Sequence, residues 1–155
     1  MTKSLKTDAD IGIQPHIQHG DQDVAARFER IRRAHQSEVA EDYVEMIADL
    51  IAETGEARAV DLASRFGVTA PTVNATVQRL VREGLAETQP YRSIFLTDAG
   101  RELAKACAQR HAIVRDFLVA IGVDKETAET DAEGLEHHVS PETLEAFKVV
   151  IAEKT

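Results

Sequence analysis

A mainly α-helical protein with one small β-hairpin is predicted by three features of this 155-residue sequence. Apolar residues recur at spacings of three and four through most of the chain, the period of a half-buried helix. Two short β-prone runs, Leu85–Thr88 and Ile94–Leu96, flank the tip Gln89-Pro90-Tyr91-Arg92-Ser93 and predict a two-stranded hairpin. Glycines and Ser/Thr caps punctuate the helical stretches at regular intervals. Together they predict an N-terminal winged helix-turn-helix followed by an α-helical domain.

Residues 1 to about 20 mix Lys, Asp, Gln, His and Gly without period and are read as a disordered tail. From Asp21 to Glu53 the pattern is helical, with Val39, Tyr43, Ile47, Leu50 and Ile51 forming one stripe. Ser37 is an N-cap residue type, so a break is expected near it, and residues 1–36 are read as an extension. Arg27, Arg30, Arg32 and Arg33 make that extension basic, and it is read as a solvated helix rather than a DNA-contacting arm. Thr54-Gly55-Glu56 ends the stretch, and a short helix is predicted over Ala59–Phe66. Gly67-Val68 is a turn. Thr69 caps the next helix, and Pro71 sits in its first turn, where a missing N–H costs nothing. Val73, Val77, Leu80 and Val81 form its apolar stripe, and Gly84 closes it. Thr97 caps a long helix bearing Leu103, Cys107, Val114, Phe117 and Leu118, which Gly122 stops. Two more helices are expected, about Lys125–His137 and then onward from Pro141, with Ser140 as cap. The expected domains are therefore 37–97 and 98–155.

Composition narrows the function classes. No apolar run approaches the roughly 20 residues of a membrane span, and the polar start lacks the apolar stretch of a secretory signal. The single cysteine, Cys107, cannot form an internal disulfide, which fits a reducing, cytoplasmic setting. With five Phe, two Tyr and no Trp, the core must be mostly aliphatic. A net charge of −9 argues against a general nucleic-acid coat. The acidity is unevenly spread, however. Between Glu56 and Thr97, Arg58, Arg65, Arg79, Arg82 and Arg92 slightly outnumber Glu56, Asp61, Glu83 and Glu87.

That region carries the winged-helix signature: helix, short helix, glycine turn, third helix, hairpin. Burying Val73, Val77 and Leu80 leaves Thr69, Thr72, Asn74, Ala75 and Gln78 facing away, with Arg79 and Arg82 further along. Thr and Asn near a helix start can reach base edges in a major groove, and Ala can touch a thymine methyl. Arg92 at the hairpin tip is placed to meet a neighbouring phosphate. A weak electrostatic contribution calls for a two-fold dimer, with two third helices about one DNA turn apart.

The second signal is Glu133-Gly134-Leu135-Glu136-His137-His138. On a continuous helix Glu133, Glu136 and His137 share one face, about 120° from the stripe Ala128, Ala132, Leu135 and Val139. Two carboxylates and an imidazole there read equally as a solvated acidic face or as a metal site. His111 lies at the edge of the preceding helix's apolar stripe. Asp42 and Glu45 share a face of the first helix, among Glu38, Glu41 and Asp49. Cys107, one turn before His111, is read as a buried structural thiol, although the spacing also suits a softer metal.

At these residues the sequence resembles the manganese transport regulators of the diphtheria-toxin-repressor family of metal-dependent repressors. The resemblance runs from about Glu38 to Phe147. It is most specific in Asp42-Tyr43-Val44-Glu45, in Arg110-His111 and in the run from Asp131 to Ser140. It implies that Asp42, Glu45, His111, Glu133, Glu136 and His137 are metal ligands, and His138 is not carried over. Iron-sensing relatives carry sulfur residues where this chain has Asp42 and Glu133. The all-oxygen-plus-imidazole set here matches a hard ion such as Mn²⁺, with Fe²⁺ or Co²⁺ as substitutes and one or two ions per subunit left open.

The resemblance further implies a helical metal-binding and dimerisation domain, a homodimer, and metal-dependent repression at operator DNA near manganese transport genes. The SH3-like third domain of longer members is expected to be absent. Three other readings stay open from the residues alone: a winged-helix regulator of a small organic ligand, a carboxylate-bridged metal enzyme, for which no nucleophile or general base stands out, and a structural interaction module.

Overall fold

The computed structural model describes residues 21–89 and 93–154. Helix α1 (Asp21–Thr54) runs unbroken for 34 residues. The expected break at Ser37 does not occur, because its hydroxyl turns along the helix to Glu41 Oε1 at 3.4 Å instead of capping a backbone N–H. Residues 21–36 therefore continue the same helix, and the expected tail at 1–20 lies outside the described residues. Ala40, Tyr43, Val44, Ile47 and Leu50 form the buried stripe of α1.

Helix α2 (Ala59–Phe66) ends at Gly67, whose φ of 64° lets the chain reverse into α3 (Ala70–Arg82). Thr69 caps α3 through the Thr72 N–H, and Val73, Val77 and Leu80 are buried. Strands β1 (Ala86–Thr88) and β2 (Ile94–Leu96) pair antiparallel, with Ala86 opposite Leu96. Ala57 adds one bridge to Ile94, a third extended contact that no alternating pattern in the sequence announces. These elements and the start of α4 (Asp98–Ala120) enclose a single core around Val44, Ile47, Leu62, Val73 and Leu80.

Helix α4 is the axle of the molecule. Its first half packs on α1, and its second half holds α5 (Lys125–Leu135) and α6 (Pro141–Lys154). A second, smaller core of Val114, Leu118, Ala128, Ala132 and Leu144 lies there, with Phe117 stacked on Phe147 at 3.8 Å. Between α5 and α6 the chain tightens into a 3₁₀ turn over Glu136–His138. The expected helix through His137 therefore stops early. Pro141 disfavours helix at the residue before it, and Ser140 serves as cap of α6 through the Thr143 N–H. Helical spacing places Glu136 four residues after the buried Ala132, on the inward side of α5. Leu135, expected on the apolar stripe, is 46% exposed, whereas Glu136 is 2% exposed.

The approach of α4 to the hairpin depends on Gly100. A Cβ there would lie 2.0 Å from the Leu85 carbonyl oxygen, which already accepts the Thr97 N–H. Gly100→Ala is expected to cost about 1–3 kcal/mol by overpacking. Urea unfolding should show this as a lower midpoint with unchanged slope.

Candidate metal centre

The two cores meet along a seam where α1 faces α4, α5 and the 3₁₀ turn. Helical spacing on α1 puts Asp42 and Glu45 one turn apart beside the buried Tyr43 and Val44. On α4, His111 follows the buried Cys107 by four residues and so faces the same seam. Glu136 and His137, just past the end of α5, face inward from the other side.

All six residues proposed from the resemblance come to this one place. His137 Nε2 lies 3.0 Å from Asp42 Oδ1 and 3.6 Å from Glu136 Oε1. His111 Nδ1 lies 2.8 Å from Glu136 Oε2 and 3.8 Å from Glu133 Oε1. Glu45 lines the same cleft of about 600 Å³ with Asp42, Met46, His111, Glu133 and Glu136. Residues more than 60 positions apart in the chain thus share one polar pocket.

The electrostatics are costly without a cation. Burial pushes the Asp42, Glu45 and Glu136 carboxyls upward. Glu45 reaches about 7, with the Glu136 and Glu133 charges adding to the burial. For both histidines burial favours the neutral ring, but the surrounding carboxylates outweigh it and hold them above the ordinary imidazole value. Glu136 Oε2 is buried without a hydrogen bond that satisfies it, and the nearest positive group it can meet is His111 Nδ1 at 2.8 Å. A buried, orphaned carboxylate oxygen among further carboxylate oxygens and imidazole nitrogens is a donor set that fits a hard divalent cation. The solvated-face reading of this cluster does not hold for Glu136 and His137, whose side chains are each 2% exposed.

Two participants, Glu41 and Glu129, carry roles that the sequence reading did not assign. Glu41 Oε2 is 2.8 Å from His137 Nδ1 and also accepts from Arg110. Glu129 Oε1 is 2.9 Å from His111 Nε2, and together with Glu133 makes a three-residue group able to face a cation. Glu41 and Glu129 looked like members of exposed acidic faces, and only tertiary packing separates them from Glu38 or Glu126. Cys107 is fully buried and contacts Arg110 at 3.3 Å. Burial pushes its thiol up to about 12.

On α3, Thr69, Thr72, Asn74, Ala75 and Gln78 are exposed. The Thr69 and Thr72 hydroxyls contact each other at 3.0 Å. Arg79 turns the other way and donates to the Gln36 carbonyl of α1 at 3.0 Å. Arg92 lies outside the described residues.

A helix-turn-helix with a hairpin wing, joined to a helical unit through a cation-suited seam, defines a metal-regulated DNA-binding protein. Residues 35–94 match the iron dependent repressor N-terminal DNA binding domain, and residues 97–153 match the iron dependent repressor metal binding and dimerisation domain. The transcriptional regulator MntR of Escherichia coli O6:H1 (strain CFT073) is 52% identical over 122 residues, covering 79% of this chain and 79% of its own length. The MntR regulator of Bacillus subtilis (strain 168) is 40% identical over 100 residues, covering 64% of this chain and 70% of its own length. A solved manganese-dependent transcriptional repressor in complex with manganese superposes with a TM-score of 0.64 at 30% identity, covering 73% of this chain and 52% of that one. This chain thus spans about half the length of that solved relative. The chain belongs to the iron-dependent repressor family, in its MntR group of transcriptional regulators, and is not an enzyme. Among the described residues, no helix is long and apolar enough to cross a membrane.

The raised groups set a pH dependence for the metal-free chain. Glu45, at about 7, keeps a proton in the folded state that the unfolded chain releases near its ordinary value of 4.5. Its stabilisation is therefore present at low pH and lost as pH rises through 7. His111 and His137, raised as well, lose their contribution in the same direction as pH passes their folded values. Thermal unfolding of metal-free protein should show the melting temperature falling from about pH 5 to about pH 8.

Proposed function

We propose that this chain is a manganese-responsive transcriptional repressor, binding double-stranded operator DNA as a homodimer when Mn²⁺ occupies the seam. Asp42, Glu45, His111, Glu133, Glu136 and His137 are the proposed ligands. The observation that carries the reading is the 3.0 Å approach of Asp42 on α1 to His137 beyond α5, around a buried carboxylate with an unpartnered oxygen. The two oxygens of Glu136 each face a different histidine. This supports two cation positions per subunit sharing that carboxylate. The solved relative at 30% identity is a complex with manganese, which supports the choice of ion.

The regulatory role follows from which element holds which group. Helix α1 contributes Asp42 and Glu45 to the seam, and its Val44, Ile47 and Leu50 to the core that seats α3. Its position therefore reports to the DNA-binding unit. Without a cation, Asp42, Glu45, Glu133 and Glu136 face one another and favour separation of α1 from α4 and α5. Bound Mn²⁺ supplies positive charge that offsets this repulsion, and a coupling of about 1–3 kcal/mol suffices for a useful switch. In a dimer, fixing α1 sets the spacing of two copies of α3. Asn74, Ala75 and Gln78 are proposed to read base edges, with Thr69 and Thr72 at the margins and Arg92 on a phosphate, whereas Arg79 is engaged by the Gln36 carbonyl.

Mobility-shift titrations on promoter DNA test this. DNA binding should require Mn²⁺ and be lost on chelation. Asp42→Ala and His137→Ala should each weaken metal-dependent binding severely. A wild-type chain that binds DNA equally with and without every metal would remove the reading. Separately, Asn74→Ala is expected to weaken specific binding by about tenfold or more while leaving Mn²⁺ affinity unchanged.

A further inference from the structure

We infer that Glu41, clamped by Arg110, is a positioning residue that fixes the orientation and tautomer of His137 and leaves its Nε2 turned into the metal seam. The inference rests on the metal reading of that seam and adds a group outside the ligand set.

The three side chains come from three elements. Glu41 lies on α1, one residue before Asp42, and its side chain is 13% exposed. Arg110 lies on α4 beside His111 and donates from Nη2 to Glu41 Oε2. The same oxygen is 2.8 Å from His137 Nδ1. An oxygen already paired with a guanidinium has no proton to offer, so the imidazole must be the donor and Nδ1 carries the hydrogen. Nε2 then points at Asp42 Oδ1, 3.0 Å away, and at Glu136 Oε1, 3.6 Å away.

These two inward neighbours are both acceptors. A neutral imidazole with its proton on Nδ1 offers them only a lone pair, which calls for a positive partner between. A cation in the seam is such a partner. Glu41 holds the hydrogen on Nδ1, so the ring need not turn over to receive that cation. Such an outer carboxylate also raises the basicity of the inward nitrogen. Arg110 holds Glu41 in place from a third element, and its other near contact is the buried Cys107 sulfur.

His111 offers a contrast within the same site. Its outer nitrogen meets Glu129, whose side chain is 54% exposed and whose Arg115 neighbour stands 3.8 Å off. Water competes freely for that carboxylate. The part-buried Glu41–Arg110 pair, 13% and 24% exposed, meets less such competition, so the positioning role falls on it.

The test compares wild type, Glu41→Ala and Glu41→Gln. Mn²⁺ affinity is measured by competition with a chelating indicator, and the His137 tautomer by imidazole ¹⁵N shifts of metal-free protein. The shifts are recorded at about pH 9, above the ordinary imidazole range. Glu41→Ala is expected to lose about 10–100-fold in Mn²⁺ affinity and to move the ring hydrogen from Nδ1 to Nε2. Glu41→Gln keeps an acceptor oxygen at the same reach, and should retain the Nδ1–H form and recover most of the affinity. Wild-type affinity in Glu41→Ala would overturn the inference. So would weakened affinity with the Nδ1–H form intact, or a Glu41→Gln variant as impaired as Glu41→Ala. Should Glu41→Ala fail to fold, Glu41→Gln and Arg110→Gln carry the test, the latter expected to weaken Mn²⁺ binding with Glu41 still present. A wild-type chain that binds no Mn²⁺ would instead remove the metal reading, while the tautomer measurement would still decide the role of Glu41.

Discussion

The constraint on which the molecule depends is a carboxylate buried between two cores. Glu136 lies at the meeting of α1, α4 and the 3₁₀ turn, where a hydrophobic residue would serve stability better. A charged group in such a place is costly unless it is paired, and its two oxygens look toward two different histidines. Everything around it can be read as a response to that cost. Asp42 and Glu45 approach from α1, and His111 and His137 supply imidazoles whose protons are held by the surrounding negative charge. The winged-helix core and the α4–α6 core are each satisfied by their own aliphatic packing. The seam between them is where charge state governs fit.

That division also reconciles an acidic chain with DNA binding. The net charge of −9 would oppose association with phosphate if it were spread evenly. Much of it gathers instead at the seam and along the C-terminal helices, away from α2, α3 and the hairpin. The region from Glu56 to Thr97 keeps a slight excess of arginine. The exposed face of α3 is polar rather than basic, which favours base-edge contacts over indiscriminate phosphate binding. Arg79, engaged by the Gln36 carbonyl, ties α3 to α1 and so to the helix that carries two of the seam carboxylates.

The fold was legible wherever local chemistry decides geometry. Thr69 with Pro71, Gly67, Thr97 and Ser140 mark element boundaries through caps and turns, and the structure places boundaries at each. Ser37 misled because a cap residue inside a strongly periodic helix can bond along its own helix instead. Leu135 misled for a different reason. It was placed on the inward stripe by its apolar character, but the buried side of α5 runs through Ala128, Ala132 and Glu136 at spacings of four, which leaves Leu135 at its edge. The proposed ligands were accessible through their motif spacing and the family resemblance. Glu41 and Glu129 were not, because no sequence spacing distinguishes a carboxylate that meets an imidazole across the fold from one that meets water.

The same geometry makes the seam a competition between protons and cations. In the metal-free chain, His111 and His137 stand closest to the carboxylates and, when protonated, provide the positive charge that lets α1 rest against α4 and α5. A divalent ion must displace those protons to use the inward nitrogens, so metal capture becomes more favourable as pH rises. In the proposed switch, metal would therefore shift an equilibrium between arrangements of α1 rather than build a new structure. The outer contacts of the two rings matter for this exchange. For His137 the Glu41 carboxylate, held by Arg110, keeps the ring facing inward, whereas the outer partner of His111 is open to water.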